Sequence, residues 1–169
     1  KMPSKGLLSE NKKKYQLAEI AYQLAHDYDL EFGFCAQCVL AAIKDTVGVI
    51  IDDVIKAVHG LSGGGSLMGI GTCGALAGGL VAFSCKYGRD SSQFGKGQFM
   101  KGILKGRLLV KRFDNEYGGF SCNDIQKKFA GRTYDMWNDD EDKEFKEKFS
   151  SVICPQMCGN VAKWVIELI

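Results

Sequence analysis

The sequence predicts an all-α fold: a single-domain helical bundle over residues 1–169 in which a glycine-rich loop leads into a central apolar helix. Three observations predict it. Apolar residues recur at the i, i+3, i+4, i+7 spacing of amphipathic helices in several segments. No run of β-branched residues alternates with polar residues, as a half-buried strand requires. Nine of the 21 glycines fall between Gly60 and Gly79, in the loop and the start of the apolar segment.

Helix boundaries are predicted from capping residues and from glycine. Ser9 is the expected cap of the first helix, whose apolar face runs from Leu17 through Ile20 to Tyr28 and which ends before Gly33. Thr72 is the expected cap of the central apolar helix. Further helices are predicted over residues 34–47, 52–59, 96–117, 122–131, 142–152 and 155–168, with residues 137–144 as an exposed connection.

Composition excludes some classes of function. The 22 basic and 20 acidic residues leave a net charge of +2, and they alternate along helical segments, which argues against nucleic-acid binding. Residues 60–85 carry no charge, but their glycines weaken a helix there and the apolar part is about 13 residues long, too short for a membrane span. We therefore expect neither a nucleic acid nor a membrane as partner.

The first residues show no secretory signal, because no apolar segment follows Met2. This favours a cytoplasmic protein. The chain begins with Lys1, which leaves open a targeting segment that has been removed.

Cys73 lies where the glycine-rich loop passes into the central helix. Unpaired backbone N–H groups and the positive end of the helix dipole stabilise an anion there, so we expect a thiolate with a pKa below the roughly 8.5 of a free cysteine. Gly71 and Gly74 flank the position and would let a cofactor approach closely. The alternative is a small buried residue in a glycine-packed helix.

The other cysteines form two pairs and two single positions. Pro155 suits the first position of a helix, which predicts Cys154 as the cap of the last helix, with Cys158 one turn later. Cys35 and Cys38 form a CxxC pair on one helix face. The single positions are Cys85 and Cys122. Seven cysteines cannot all pair within one chain, and the lack of a CxxCH motif excludes a covalently attached haem.

The segments FCAQCVLAAI, CGALAGG, SCKYGR, FDNEYGGFSCNDI and CPQMCGNVAKWVIEL together resemble the C_GCAxxG_C_C family, whose proteins are classed as redox-active. The resemblance covers residues 20–168, and its CGAxxG motif corresponds to Cys73–Gly78. The family is similar to the non-haem part of split-Soret cytochromes, which are dimeric and associated with a [2Fe–2S] cluster. The resemblance implies four redox or cluster cysteines, namely Cys35, Cys73, Cys122 and Cys154, with Cys158 as an alternative fourth and with Cys38 and Cys85 as additional cysteines.

Three functions are compatible with these residues. The first is electron transfer through an iron–sulfur cluster held by the four cysteines, with a redox partner protein that the sequence does not identify. The second is a thiol–disulfide oxidoreductase that uses Cys73 or Cys35 with Cys38. The third is a non-catalytic helical module that binds a metal such as zinc, or only a partner subunit through its glycine-rich face. An electron-transfer protein is favoured over an enzyme. The small residues Gly74, Gly78 and Ala82 predict a close helix contact, and together with the dimeric relatives they predict a homodimer.

Overall fold

The computed structural model describes the backbone of residues 5–169 and the side chains from Ser9 onward; Lys1 and Met2 lie outside the described residues. All regular structure in this range is helical, apart from an isolated bridge between Thr72 and Ser121. The predicted all-α fold is confirmed. The helices are α1 (Lys5–Phe32), α2 (Cys35–Val47), α3 (Asp52–Ala57), α4 (Gly74–Tyr87), α5 (Met100–Tyr117), α6 (Cys122–Ala130), α7 (Asp139–Phe145) and α8 (Ser151–Leu168).

Helix α8 forms the centre of the bundle and packs against α1, α2, α4 and α5. Its buried face includes Val161 and Val165, both fully buried. Helix α1 approaches it closely at Gly159, where a side chain would meet the ring of Tyr22 at 2.8 Å. Within the described residues, no helix combines the length and the apolar character needed to cross a membrane.

The apolar helix α4 packs through small residues, as the sequence predicts. A Cβ at Gly78 would lie 2.7 Å from the carbonyl oxygen of Ala36 on α2, so the two helices touch along this ridge. On another side, a Cβ at Gly79 would overlap Leu109 of α5 and Val161 of α8. The Gly74–Gly78–Ala82 ridge is therefore covered within the chain and offers no face to a second copy.

Several predicted boundaries are wrong. Helix α1 already includes Ser9, so Ser9 is not its cap, and Ile20 is half exposed. The cap of α4 is Cys73 rather than Thr72. The segment predicted as an exposed connection forms α7.

The predicted start of the last helix is also wrong. A π-helical turn over Lys146–Ser150 joins α7 to α8, so that α8 begins at Ser151 and contains Pro155. Cys154 therefore lies within continuous helix and is not its cap. A proline tolerated inside a helix has the same sequence appearance as one at the first position, and the adjoining π-turn leaves no pattern of its own.

Candidate functional site

One cavity of about 380 Å³ is lined by four cysteines that are far apart in sequence. Each comes from a different part of the fold: the start of α2, the cap of α4, the start of α6 and the first turns of α8. Their thiols belong to Cys35, Cys73, Cys122 and Cys154. These are the four cysteines that the family resemblance selects.

The start of α2 comes after a sharp turn of the chain. Gly33 ends α1 with a positive φ of 67°, and Phe34 has a positive φ of 57°, which is uncommon for a residue with a side chain. The backbone N–H of Gly33 donates to the carbonyl oxygen of Asp29 at 3.0 Å. This turn places Cys35, the first residue of α2, at the cavity.

Cys73 and Cys122 are brought together by backbone hydrogen bonds between their two segments. The N–H of Cys73 donates to the carbonyl oxygen of Phe120 at 2.7 Å, and the N–H of Cys122 donates to that of Gly71 at 3.1 Å. Ser121 then caps α6 by accepting from the N–H of Asp124 at 3.0 Å. The two cysteines are thus fixed relative to each other by main chain and not only by side-chain packing.

The loop needs glycines because its backbone lies too close to this pair of cysteines to leave room for side chains. Gly64 has a φ of 74°, and a Cβ there would meet the carbonyl carbon of Gly69 at 2.7 Å and the Cβ of Cys122 at 2.9 Å. Gly71 packs against the carbonyl oxygen of Gly64 and does not line the cavity, whereas Gly74 does. Of the two glycines predicted at a cofactor, only Gly74 therefore lies at the cavity wall.

The remaining cavity wall is mostly apolar. Ile125, Phe145, Phe149 and Met157 contribute to it, and all are buried. The charged groups in the wall are Asp29, Asp142 and Lys146. Within this wall Cys73 and Cys122 are buried, whereas Cys35 and Cys154 are partly exposed.

Burial dominates the electrostatics of the cavity thiols. It raises the pKa of Cys35 to about 12 and the pKa of Cys73 well above its ordinary value. The N–H groups of Ala75 and Leu76 at the start of α4 lower the pKa of Cys73, but by less than burial raises it. The expected thiolate with a low pKa at Cys73 is therefore wrong for the protein without a bound cation, because Cys73 is only 3% exposed.

Negative charge on one cavity thiol disfavours charge on the others. The pKa of Cys73 is raised further by Cys35 and Cys122, and the same three cysteines raise the pKa of Cys154. Four thiolates are therefore not stable together in this cavity unless positive charge is added. A bound metal centre supplies such charge and reverses this balance.

The three additional cysteines do not line the cavity. The Sγ of Cys38 donates to the carbonyl oxygen of Gly33 at 2.8 Å, and Cys158 is fully buried behind Cys35. Cys85 is exposed near the end of α4. All seven cysteines lie within the described residues, and none is in a disulfide bond.

Asp29 is a buried carboxyl group in the cavity wall. Burial raises its pKa to about 6, although a hydrogen bond with Cys158 and the nearby His26 lower it. No sequence pattern selects Asp29, because its position on α1 fits an ordinary helix.

Two polar residues at this site are also absent from the sequence-based prediction. Gln126 is fully buried; its Nε2 donates to the Sγ of Cys122 at 3.3 Å and its Oε1 accepts from the N–H of Tyr134 at 2.8 Å. Ser62 lines the cavity and is 2% exposed. The i, i+4 spacing of Cys122 and Gln126 could have indicated the first contact. No sequence signal marks Ser62.

The donor groups do not converge on a single point. Among the described residues, no three histidine, cysteine, aspartate or glutamate side chains are grouped closely enough to hold one metal ion. The four cysteines instead line a cavity of about 380 Å³, which is larger than one ion requires. The arrangement suits a group of several atoms better than a lone ion.

Fold and site together define an all-helical, cysteine-rich protein with a cavity lined by four thiols. The family model described as "Putative redox-active protein (C_GCAxxG_C_C)" matches residues 33–168, about four fifths of the chain. The chain belongs to this C_GCAxxG_C_C family. Neither the curated proteins nor the solved structures gave a significant match.

Proposed function

We propose that the protein transfers electrons through an iron–sulfur cluster of the [2Fe–2S] type, bound by Cys35, Cys73, Cys122 and Cys154. The observation that carries the proposal is that four cysteines from four separate parts of the chain line one cavity. Four cysteine thiolates are the usual ligand set of such a cluster. When bound, the cluster would accept and release single electrons.

The chain provides what this centre requires. The cavity thiols are the soft ligands that iron favours in such clusters, and Ile125, Phe149 and Met157 give them mostly apolar surroundings. Iron would lower the pKa of each ligand, so that binding releases the four thiol protons. The N–H groups of Ala75 and Leu76, which lower the pKa of Cys73, also stabilise a thiolate at that position.

A zinc module is less well supported than a cluster. Structural zinc needs four donors around a single point, and the described residues do not provide even three in that arrangement. A [2Fe–2S] cluster needs only two thiols at each iron. The thiol–disulfide alternative loses support because Cys38, its expected resolving thiol, does not line the cavity and donates instead to the carbonyl oxygen of Gly33.

The direct test is anaerobic reconstitution of the reduced protein with ferrous iron and sulfide. We expect a brown protein with about two iron atoms and two sulfide ions per chain. A colourless protein without iron after reconstitution would contradict the proposal. One zinc ion per chain in the purified protein would instead support the zinc module.

Single cysteine-to-serine variants identify the ligands. Loss of iron is expected for C35S, C73S, C122S and C154S, whereas C85S, on the exposed end of α4, is the matched control and should keep its iron. C158S separates the two candidates for the fourth ligand: it should retain the cluster, because Cys158 does not line the cavity. Retention by C154S with loss by C158S would reverse that assignment.

The homodimer also stays a proposal. Its support from the small-residue ridge of α4 is gone, because α2 covers that ridge. Sedimentation velocity at micromolar concentration, with and without the cluster, tests it: a monomer in both states would exclude the dimer.

A further inference from the structure

Ser62 stands out among the residues of the cavity wall because its hydroxyl group is buried without a partner. The side chain is 2% exposed, and its Oγ has no hydrogen-bond partner within the part of the chain that the structure describes. It is the one buried side-chain polar atom there in this condition. Leaving a buried hydroxyl unpaired destabilises a folded protein, so its position calls for an explanation.

Ser62 lies next to a cavity sulfur. A Cβ built on Gly74 would touch both the Sγ of Cys35 and, at 3.0 Å, the Cα of Ser62, so the sulfur and the backbone of Ser62 lie close to the same point. The next residue, Gly63, donates its backbone N–H toward Cys35 and thereby lowers the pKa of that thiol. The segment that carries the unpaired hydroxyl is therefore already in contact with the sulfur of Cys35.

We infer that the hydroxyl group of Ser62 donates a hydrogen bond to a sulfur atom of the iron–sulfur cluster held in this cavity. This hydrogen bond raises the reduction potential of the cluster. The inference rests on the proposed function. A hydroxyl group has one hydrogen to donate, and a sulfur that carries negative charge is an acceptor for it inside this mostly apolar wall. Hydrogen bonds to the sulfurs are among the factors that set the potential of iron–sulfur centres.

The sign of the change in reduction potential follows from the charge on the cluster. One electron added to the centre increases the negative charge on its sulfur atoms, so a donor binds the reduced form more strongly than the oxidised form. No proton is transferred: the Ser62 hydroxyl keeps its hydrogen in both states. Removing the donor must therefore lower the potential.

The test compares the reconstituted wild-type protein with S62A by a mediated redox titration, in which dithionite supplies the electron. We expect S62A to bind iron and sulfide as the wild type does, with a reduction equilibrium about tenfold less favourable, which is about 59 mV for one electron. S62T, which keeps the hydroxyl group, should stay close to the wild-type potential. S84A is the matched control, because Ser84 is exposed on α4 and its hydroxyl donates to Leu80. An unchanged potential in S62A would overturn the inference.

A second readout uses the protein without iron. Because the hydroxyl group has no partner there, S62A should unfold at the same denaturant concentration as the wild type or at a higher one. A clear loss of stability would show that Ser62 already has a structural partner and would also overturn the inference. Failure of the proposed function would give a different result, namely a wild-type protein that binds no iron after reconstitution. In that case the inference would be wrong as well.

Discussion

The Sγ of Cys35 lies directly against the backbone of Gly74, so that the first residues of α2 and α4 touch at the cavity. A side chain at position 74 would overlap this sulfur and would also come within 3.0 Å of the Cα of Ser62. The Cα of Ser62 and the carbonyl oxygen of Leu61, which would lie 3.3 Å from that side chain, belong to the main chain and cannot turn away as a flexible side chain could. The thiols can therefore take this arrangement only if residue 74 has no side chain.

Replacing Gly74 with alanine should therefore destabilise the protein. At an ordinary helix position the same change stabilises, because alanine is the better helix former by about 1 kcal/mol. Here we expect a loss of about 1–3 kcal/mol in the free energy of unfolding from overpacking. Denaturant unfolding measures it. The control is Gly60→Ala, where the nearest neighbour of the new methyl group is the Oγ of Ser66 at 3.8 Å. Equal stability of the two variants would contradict the close contact.

Replacing Gln126 with leucine should cost about 1–3 kcal/mol of stability. The change leaves the buried N–H of Tyr134 without its acceptor and the Sγ of Cys122 without a donor. Gln156→Leu is the matched control, since Gln156 is exposed on α8 and its side chain bonds only to the carbonyl oxygen of Val152. Both variants are compared by urea unfolding of the iron-free protein. A loss no larger than that of the control would show that the Gln126 bridge contributes nothing to the fold.

Asp29 should make the stability of the iron-free protein fall as pH rises. Its pKa is about 6 in the folded protein and about 3.9 in the unfolded chain. The carboxyl group therefore contributes its stability fully below pH 4, and this contribution is lost as pH rises through 6. Two pKa units correspond to about 3 kcal/mol. The measurement is urea unfolding at intervals between pH 4 and 7.

Asp29→Asn should remove this dependence on pH, because the amide does not titrate. The control is Asp27→Asn: Asp27 is exposed, and hydrogen bonds from Gln23 and His26 lower its pKa, so it cannot produce a loss of stability with rising pH. An Asp29→Asn curve with the same slope as the wild type would assign the effect to another group.

Alkylation should reach Cys85 before Cys73. Cys85 is exposed, whereas Cys73 is buried and its pKa is raised well above the ordinary value of a thiol. In the reduced, iron-free protein at pH 8 we expect iodoacetamide to modify Cys85 before Cys73, as read by peptide mapping over time. Earlier modification of Cys73 would mean that the helix terminus outweighs burial after all.

The sequence predicts the helices of this protein well, because amphipathic spacing and glycine breaks depend on neighbouring residues. The turn at Gly33 and the close packing at Gly78 are examples, and both agree with the structure. Features that depend on contacts between residues far apart in the chain are harder to predict from the sequence. The predicted start of α8 is wrong because Pro155 lies inside a helix that a π-turn continues from α7.

The same difference between local features and features set by long-range contacts applies to the site. Four cysteines far apart in the chain can be selected together only through the resemblance to a family, and the structure places all four at one cavity. Their role as ligands stays a prediction. The predicted ionisation of Cys73 is wrong because a local argument about the helix terminus cannot include the burial created by the rest of the fold. Ser62 and Asp29 cannot be found from the sequence for the same reason.

The π-turn at Lys146–Ser150 sets the rotational phase between α7 and Cys154. One residue advances an α-helix by about 100°, and a π-turn absorbs one extra residue, so the helices on its two sides keep the relative rotation of an α-helix that is one residue shorter. Phe149 and Ser150 of this turn line the cavity together with Cys154. Deleting a single residue of the turn would therefore give a regular α-helix in which α7 and Cys154 keep their present faces, whereas converting the turn to a regular α-helix without a deletion would rotate the acidic helix α7 by about 100° away from its side of the bundle.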